Sequence, residues 1–251
     1  MTLRLLSYNI RYGGVGHEEA LVDVIGSARP DVVLLQEATR REVVARIAER
    51  GGFPAWGCQP RQSTGFLSRV PVVRHAWHHP PSARHAFLEL VIGGENGWGE
   101  VRIFGLHLTA WFSNWSERRR TFEIAALLNA IRHHQHGFHV IAGDFNALAP
   151  GARLDVARMP RWIRAMVWLN GRDIARSTIQ VMLDASYVDL WRALHPGDPS
   201  YTFPVWDPHV RLDYVFTPER HAERVRAVEI VSGAPAVSHA SDHLPLLVEL
   251  D

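Results

Sequence analysis

The chain has 251 residues, of which 47% are apolar and 21% charged, as expected for a folded protein with a sizeable core. Its net charge of +1 argues against a protein that holds long nucleic acids mainly by charge, although all 27 basic residues are arginine, whose planar fork suits phosphate. No apolar run approaches the ~20 residues of a membrane span, and a single cysteine, Cys58, excludes an intrachain disulfide, so we expect a cytoplasmic protein.

The N-terminal half begins with alternating strands and helices. The first predicted elements are a strand at 3–10, a helix at 17–29, a buried strand at 31–38 and a helix at 39–52. Thr39 is the predicted N-cap of the second helix and Gly51 its stop. Short strands follow at 64–70, 72–78, 86–94 and 100–110. The clearest helical periodicity runs through 116–134, with Ser116 as its predicted cap.

The C-terminal half returns to strands after a helical stretch. A strand is predicted at 138–146, mostly helical structure at 151–196, and strands at 200–205, 211–218, 224–231 and 244–250. No repeat or linker separates domains. We therefore predict one α+β domain over residues 1–251, built from two packed, mostly antiparallel sheets flanked by helices, with an Arg/Trp-rich helical insertion at about 151–196.

Polar side chains stand at the ends of the predicted strands. They are Asn9, Glu37, His107, Asp144, Asn146, Asp213, Asp242 and His243. Asp144 and Asn146 lie two residues apart, so on a strand they would point to the same side. Taken alone, that stretch also fits a solvated turn. Because burying an unpaired carboxylate costs several kcal/mol or more, the whole set must pair internally or bind a cation.

Six motifs carry these residues: SYNIR, LLQE, GLHL, GDFN, RLDYVF and SDHLP. Together they resemble the motif set of the endonuclease/exonuclease/phosphatase superfamily, in the family's order and over residues 7–245. That superfamily includes deoxyribonucleases, abasic-site endonucleases, neutral sphingomyelinases and inositol polyphosphate 5-phosphatases. The resemblance implies a four-layer sandwich with helices outside two sheets. It also implies in-line hydrolysis of a phosphate ester by water, with a divalent cation.

The resemblance, together with the chemistry of the side chains, suggests a metal site. Glu37 offers a hard oxygen ligand suited to Mg²⁺ or Mn²⁺, with Asn9 beside it. Asp242 could approach the same ion.

Roles for the catalytic groups follow in the same way. Asp144 would orient or deprotonate the attacking water, and Asn146 would hold that water or a phosphoryl oxygen. His243 would act as a cation, with Asp213 raising its pKa and fixing its ring. His107 would be a second phosphate donor. We expect the other histidines, including His85 and His139, on the solvated surface.

The substrate is less constrained than the reaction. Arg11 and His107 stand where abasic-site endonucleases usually have an acidic residue and a tyrosine, which weakens an abasic-site role. GDFNALAP lacks the longer fourth motif of the inositol 5-phosphatases. Arg11, Trp111 and Trp206 are candidate substrate contacts at the rim of the site, although the two tryptophans fit loop anchors equally well.

Residues 151–176 contain six arginines and two tryptophans, and Trp162, Met166 and Leu169 fall at helical spacing between the arginines. Such a helix could lie on an anionic membrane, or stack on bases while its arginines track phosphates. The favoured interpretation is an outer helix that packs its tryptophans on the core and points its arginines outward.

The sequence as a whole predicts a monomeric metal-dependent phosphoesterase, with phosphodiesters of nucleic acids or nucleotides as the favoured substrates. A phospholipid, as in sphingomyelinases, and a sugar or inositol phosphate are the alternatives. A catalytically silent binding module on the same scaffold is a further one. Because all the candidate metal ligands and catalytic residues are present, the catalytically silent module is the less favoured alternative.

Overall fold

The computed structural model describes residues 2–81, 83–93 and 99–251. The strands are β1 (Leu3–Asn9), β2 (Val32–Gln36), β3 (Ala55–Cys58), β4 (Thr64–Ser68), β5 (Val72–His78), β6 (Phe87–Ile92), β7 (Val101–His107), β8 (His139–Asp144), β9 (Tyr187–Asp189), β10 (Asp213–Pro218), β11 (Val225–Ile230) and β12 (Leu246–Leu250). The helices are α1 (Glu18–Ala28), α2 (Arg41–Gly51), α3 (Asn114–Ala130), α4 (Arg161–Leu169), α5 (Ser177–Asp184), α6 (Leu190–Leu194) and α7 (Val237–Ala240).

The strands form two six-stranded sheets. The first has the order β11-β12-β1-β2-β4-β3 and the second the order β5-β6-β7-β8-β10-β9. β1 runs parallel to β2 and β7 parallel to β8. The other described pairs, such as β1 with β12 and β8 with β10, are antiparallel. Both sheets are therefore mixed, and mostly antiparallel as predicted.

Successive apolar side chains of one strand pack into two different cores. In β1, Leu5 packs between the sheets with Ile103 and Val140 of the second sheet. Leu6, which points to the opposite face, packs with Leu21 of α1 and Val44 of α2. Strands buried on both faces carry continuous apolar runs of this kind.

The second sheet is covered in the same way. Phe104 of β7 and Phe216 of β10 pack against Ile124 of α3 and Ile179 of α5. The molecule is thus a helix–sheet–sheet–helix sandwich, which confirms the predicted fold class. Along the described residues, no helix is both long enough and apolar enough to cross a membrane.

The ends of two helices differ from the predictions. α3 begins at Asn114 because the Ser113 hydroxyl accepts the Ser116 N–H, so Ser116 lies in the first turn and is not the cap. Thr39 does not cap α2, which follows Arg40. The left-handed residue that ends α2 is Gly52, with φ +68°, and not Gly51.

Three strand predictions also need correction. The predicted strand 200–205 forms only an isolated bridge between Phe203 and Val210, and Pro204 has no N–H to extend it. β3 was not predicted, and β9 lies inside the stretch predicted as mostly helical, where it pairs with β10. Gly94, the last residue of the predicted strand 86–94, lies outside the described residues.

Candidate active site

Strand register brings three of the predicted site residues side by side in the second sheet. Asp144 ends β8, and its two neighbours across the sheet are His107 on β7 and Asp213 on β10. Gly143 precedes Asp144 with φ +148°, and a Cβ there would lie 2.0 Å from the Leu106 carbonyl oxygen. Only glycine therefore permits the close approach of β7 and β8 at this point.

The first sheet contributes residues from three chain segments at one edge. Asn9 ends β1 opposite Gln36, the last residue of β2, and Glu37 follows directly. Because Ser7 pairs with Leu246, the segment just before β12, which carries His243, also lies beside this end of β1. We use the name strand-end cluster for Asn9, Glu37, His107, Asp144, Asp213, Asp242 and His243.

Asp144 joins the two halves of the cluster. Its Oδ2 accepts a hydrogen bond from Asn9 Nδ2 at 3.0 Å, and its Oδ1 accepts one from the Asn146 backbone N–H at 2.8 Å. The side chain is buried, and that burial, with Asp213 close by, raises the pKa of Asp144 against the opposing effect of His243. The carboxylate is therefore a stronger base than an exposed aspartate.

His243 is held by a buried carboxylate. Its Nδ1–H donates to Asp213 Oδ2 at 2.8 Å, and its Nε2 lies 3.9 Å from Asp144 Oδ2. Burial alone would lower the pKa of His243, but the charges of Asp213 and Asp144 outweigh it and raise the pKa. The ring of Phe203 packs against the imidazole with centroids 4.9 Å apart. The imidazole ring of His243 is thus fixed in orientation and kept cationic.

Glu37 and Asp242 form the more accessible side of the cluster. One oxygen of Glu37 accepts the Tyr12 N–H, and the other lies 3.4 Å from Asn9 Nδ2. Asn9 Oδ1 accepts the Arg11 N–H at 3.0 Å, which fixes the amide so that its NH₂ faces the carboxylates. Arg11 also reaches Asp242, with Nε 3.3 Å from Oδ2.

His107 occupies the rim of the second sheet as a neutral ring. Ser63 Oγ accepts the Glu37 N–H at 3.2 Å and lies 2.5 Å from His107 Nδ1, so its hydroxyl donates to that nitrogen. The proton then sits on Nε2, which is 3.6 Å from Asp144 Oδ2. Burial, with His85 and His243 nearby, lowers the pKa of His107 to about 3. His107 can therefore donate a hydrogen bond but carries no charge.

Four non-glycine residues next to the cluster have a strained backbone. Arg11, Tyr12, Glu37 and Asn146 all have φ between +47° and +58°, the left-handed region that non-glycine residues rarely adopt. Each of these residues lies within three positions after the last residue of β1, β2 or β8, next to a member of the cluster. Strain of this kind persists only where the surroundings hold it, and it is concentrated at functional sites.

The charges of the cluster call for a cation. Its acidic members are Glu37, Asp144, Asp213 and Asp242. The positive charges are His243 within the cluster and Arg11 beside it, which leaves two negative charges in excess when all are ionised. The donors on the Glu37 side are hard oxygens, which suit Mg²⁺, Mn²⁺ or Ca²⁺. A divalent cation therefore fits the residues that are present.

Among the described residues, one group of three is compact enough to hold an ion by itself. Ligand atoms of Asp144, Asp213 and His243 lie within 4.8 Å of one another. His243 is a poor ligand, however, because its Nδ1–H is donated to Asp213 and its raised pKa keeps Nε2 protonated. The Glu37 side, with Asn9, is the better place for a metal ion.

The three predicted substrate contacts lie in different places. Arg11 lies beside the cluster and contacts its member Asp242. Trp111 is 54% exposed and meets the ring of Trp162 edge-on at 5.6 Å between centroids. Trp206 is also exposed, in the loop whose Asp207 pairs with Arg158. Their exposure argues against a role as buried loop anchors.

The interpretation of the Arg/Trp helix is wrong in one respect. α4 packs Ile163 and Val167 on its own chain, whereas Trp162 and Trp168 are 55% and 60% exposed and Leu169 is 74% exposed. The arginines do point outward, but so do the tryptophans. Aliphatic residues fill the contact because they fit between the neighbouring loops without leaving an indole N–H unpaired.

Several residues around the cluster were not predicted from the sequence. Ser63 fixes His107, and Ser241 Oγ donates to the Asn9 carbonyl at 2.7 Å and accepts the His243 N–H. Ser241 was visible in the motif SDHLP, whereas nothing in the sequence marked Ser63. His85 stacks on His107 with centroids 5.3 Å apart, so its assignment to the solvated surface is wrong.

The same assignment is wrong for His139. It is fully buried, and its Nε2 lies 2.7 Å from the Tyr187 hydroxyl, in the core under α3 and not in the cluster.

Comparison with known proteins supplies a family and a fold. A sequence profile of the Endonuclease/Exonuclease/phosphatase family matches residues 6–243. No curated protein matches the chain significantly.

Several solved structures have a similar fold. The 3'-5' exonuclease NExo from Neisseria meningitidis superposes with a TM-score of 0.73 at 18% identity, over 99% of this chain and 100% of that one. An AP endonuclease from Archaeoglobus fulgidus gives 0.71 at 18% identity, over 99% of both chains. D. rerio TDP2 complexed with a single strand DNA product gives 0.67 at 18% identity, over 100% of this chain and 99% of that one.

Proposed function

This chain belongs to the endonuclease/exonuclease/phosphatase family, and from that premise we propose that it hydrolyses phosphodiesters of nucleic acids or nucleotides with a divalent cation. The observation that carries the proposal is the strand-end cluster. Residues from both sheets, separated by up to 234 positions between Asn9 and His243, meet around the buried carboxylate of Asp144. We also propose that residues 1–251 work as one domain, because neither sheet holds the cluster alone.

Asp144 is proposed to orient the attacking water and accept its proton. Its raised pKa suits that role, since a base works best when its pKa is near the working pH. Asn146 donates its amide to the Leu108 carbonyl at 3.2 Å. Its side-chain oxygen has no partner among the described residues and is left to hold the water beside Asp144.

The two histidines would stabilise the phosphate group in different ways. His243, kept protonated by Asp213, would place a positive charge against a phosphoryl oxygen, which is where negative charge develops. His107 would donate a neutral hydrogen bond from Nε2, because Ser63 occupies Nδ1. His85, stacked on His107, supports that ring from the side.

A bound cation would polarise the phosphate and neutralise charge in the transition state. Glu37 and Asn9, with Asp242 on the same side, are the residues proposed to hold it, and Mg²⁺ and Mn²⁺ are the ions that suit such oxygen donors. The excess negative charge of the cluster supports the proposal.

Two observations bear on the substrate. The solved structures with a similar fold include an exonuclease, an AP endonuclease and a protein complexed with single-stranded DNA, which favours nucleic acid. The exposed tryptophans and Leu169 of α4 favour a second candidate, a phospholipid whose diester is cleaved at a membrane surface. Cytoplasmic location and a monomeric state stay predictions.

A parallel screen of the purified protein with Mn²⁺ tests the proposal. The substrates are plasmid DNA, single-stranded DNA, RNA, bis-p-nitrophenyl phosphate, sphingomyelin and inositol phosphates. We expect cleavage of the nucleic acids and of the small diester. Turnover of sphingomyelin alone would favour the second candidate, and hydrolysis of inositol monoesters alone would contradict diester cleavage.

A further inference from the structure

A second charged surface lies outside the strand-end cluster. A groove of about 790 Å³ runs along α4, and its charged lining consists of Arg161, Arg164 and Arg172, with Trp168 beside them. We use the name arginine groove for these four residues. None of them belongs to the cluster, and the proposed hydrolysis uses none of them.

The arginines of the groove lack partners, unlike others in the same segment. Arg158 pairs with Asp207, and Arg176 bonds Asp173 and the Ala152 carbonyl. By contrast, the guanidinium groups of Arg161, Arg164 and Arg172 form no ion pair or hydrogen bond with any residue that the structure describes. Three positive charges therefore face one concave space without an internal counter-charge.

Helical spacing explains why the groove combines charge with an aromatic ring. Arg161, Arg164 and Trp168 follow the pattern i, i+3, i+7, which places them on one flank of α4. Ile163 and Val167, the latter also lining the groove, pack against the chain, so the helix is held in place without using the arginines or Trp168. The Trp168 ring is left 60% exposed beside the guanidinium groups.

The groove is physically connected to the cluster. The apolar contacts under α4 include Leu148, two residues after Asn146, and Leu212, next to Asp213. Phe203, which packs at the edge of the same contacts, also packs against His243. The helix that carries the groove is therefore packed against chain segments that lie next to the cluster.

We propose that the arginine groove binds the phosphate backbone of a single-stranded nucleic acid, with the Trp168 ring stacked on a base. Arginines that track phosphates and an aromatic ring that stacks on bases are the two elements of single-strand binding. The other exposed apolar side chains of α4, Trp162 and Leu169, do not line the groove, which therefore presents three charges and one ring rather than the broad apolar surface that a membrane requires. The inference rests on the proposed nucleic-acid substrate and deepens it.

The test measures binding separately from cleavage. A fluorescein-labelled oligothymidylate of about a dozen nucleotides is titrated in EDTA, and its anisotropy is followed between about 50 and 200 mM NaCl. The test variant is Arg161→Gln/Arg164→Gln/Arg172→Gln. The matched control, Arg29→Gln/Arg132→Gln/Arg192→Gln, removes three exposed arginines elsewhere whose guanidinium groups likewise pair with no described residue. A second variant, Trp168→Ala, removes the ring alone.

We expect the groove variant to bind at least about tenfold more weakly at low salt, with the slope of log K against log salt reduced by about 2, or ~0.7 for each lost phosphate contact. Trp168→Ala should weaken binding about fivefold to a hundredfold with the slope unchanged. Both variants should turn over bis-p-nitrophenyl phosphate like the wild type, which shows that they are folded. The control should bind like the wild type.

Three results would overturn the inference. One is equal oligonucleotide binding by the wild type and the groove variant. Another is an equal loss in the control, which would indicate net charge alone. The third is loss of binding to phosphatidylserine vesicles in the groove variant while oligonucleotide binding persists. The proposed function fails separately, if the wild type with Mn²⁺ cleaves neither oligonucleotides nor the small diester.

Discussion

The strand-end cluster and the arginine groove differ in the burial and pairing of their charged side chains. In the cluster, Asp144, Asp213 and His243 are almost fully buried, and each is held by a hydrogen bond from or to a named neighbour. In the groove, Arg161 and Arg164 are exposed and have no partner among the described residues. Buried charges must be compensated inside the protein, whereas exposed ones can remain available for a partner.

This difference separates what each region can do. A buried, hydrogen-bonded network fixes side chains in place and shifts their pKa values, as bond cleavage requires. Exposed arginines gain little from fixed geometry but attract phosphate over several ångströms, as binding requires. Changes in the cluster should therefore alter turnover, and changes in the groove should alter affinity.

The largest expected effect is removal of the cation. EDTA should reduce hydrolysis of bis-p-nitrophenyl phosphate to background, and Mg²⁺ or Mn²⁺ should restore it, because the cluster holds excess negative charge around the phosphate site. The Glu37→Gln variant should require a metal concentration at least roughly tenfold higher than the wild type for half-maximal activity. Wild-type turnover that persists in EDTA would contradict the proposed chemistry.

Asp144→Asn should come next, with kcat reduced by about 10²- to 10⁴-fold, because an amide cannot accept the proton of water. Asparagine can keep only one of the two hydrogen bonds that Asp144 accepts, because its NH₂ group cannot accept the other, so thermal unfolding is measured beside kcat to show that the variant is folded at the assay temperature. Asp173→Asn, an exposed carboxylate near the groove, is the matched control and should leave kcat unchanged. Comparable turnover by the two variants would remove the proposed role of Asp144.

Asp213→Asn should shift the pH dependence of kcat. The Asp213 carboxylate raises the pKa of His243, so its loss lowers that pKa and the ring loses its proton at a lower pH. On the alkaline limb of the pH profile, kcat should therefore begin to fall at a pH lower than in the wild type by on the order of one to three units. A pH–rate profile measures this. An unchanged alkaline limb would show that a protonated His243 is not required.

The cluster was the more predictable of the two regions. Strand ends in a sheet meet at one edge, which places Asn9 beside Glu37 in the first sheet and Asp144 beside His107 in the second. The meeting of the two edges was expected from the resemblance carried by the six motifs. Ser63 could not be found in this way, because it lies in a loop and acts through one hydrogen bond whose geometry depends on the folded chain.

The groove was less predictable because composition does not determine which face of a helix is buried. Trp162 and Ile163 are adjacent and both apolar, so only the shape of the neighbouring loops decided that isoleucine would be packed and tryptophan exposed. The strand predicted at 200–205 failed for a related reason, since its edge position and Pro204 left a single bridge.

The smallest expected effect distinguishes the two regions by stability. Ile163→Val removes one methylene from the contacts under α4, and Ile103→Val removes the same group from the core between the sheets. Each should cost about 0.5–1.5 kcal/mol at its site. Because α4 is held by a small cluster on one side only, part of its loss should appear as local opening, with faster amide exchange in α4 and a smaller shift in Tm.

Ile103→Val should lower Tm by about 2–4 °C for each kcal/mol, since the inter-sheet core unfolds only with the whole molecule. Neither variant should change kcat on the small diester. Equal shifts in Tm, with no faster exchange in α4, would show that the helix bearing the groove unfolds together with the sandwich. In that case the groove would be as rigid a platform as the cluster, and its arginines would be pre-positioned for a strand before it binds.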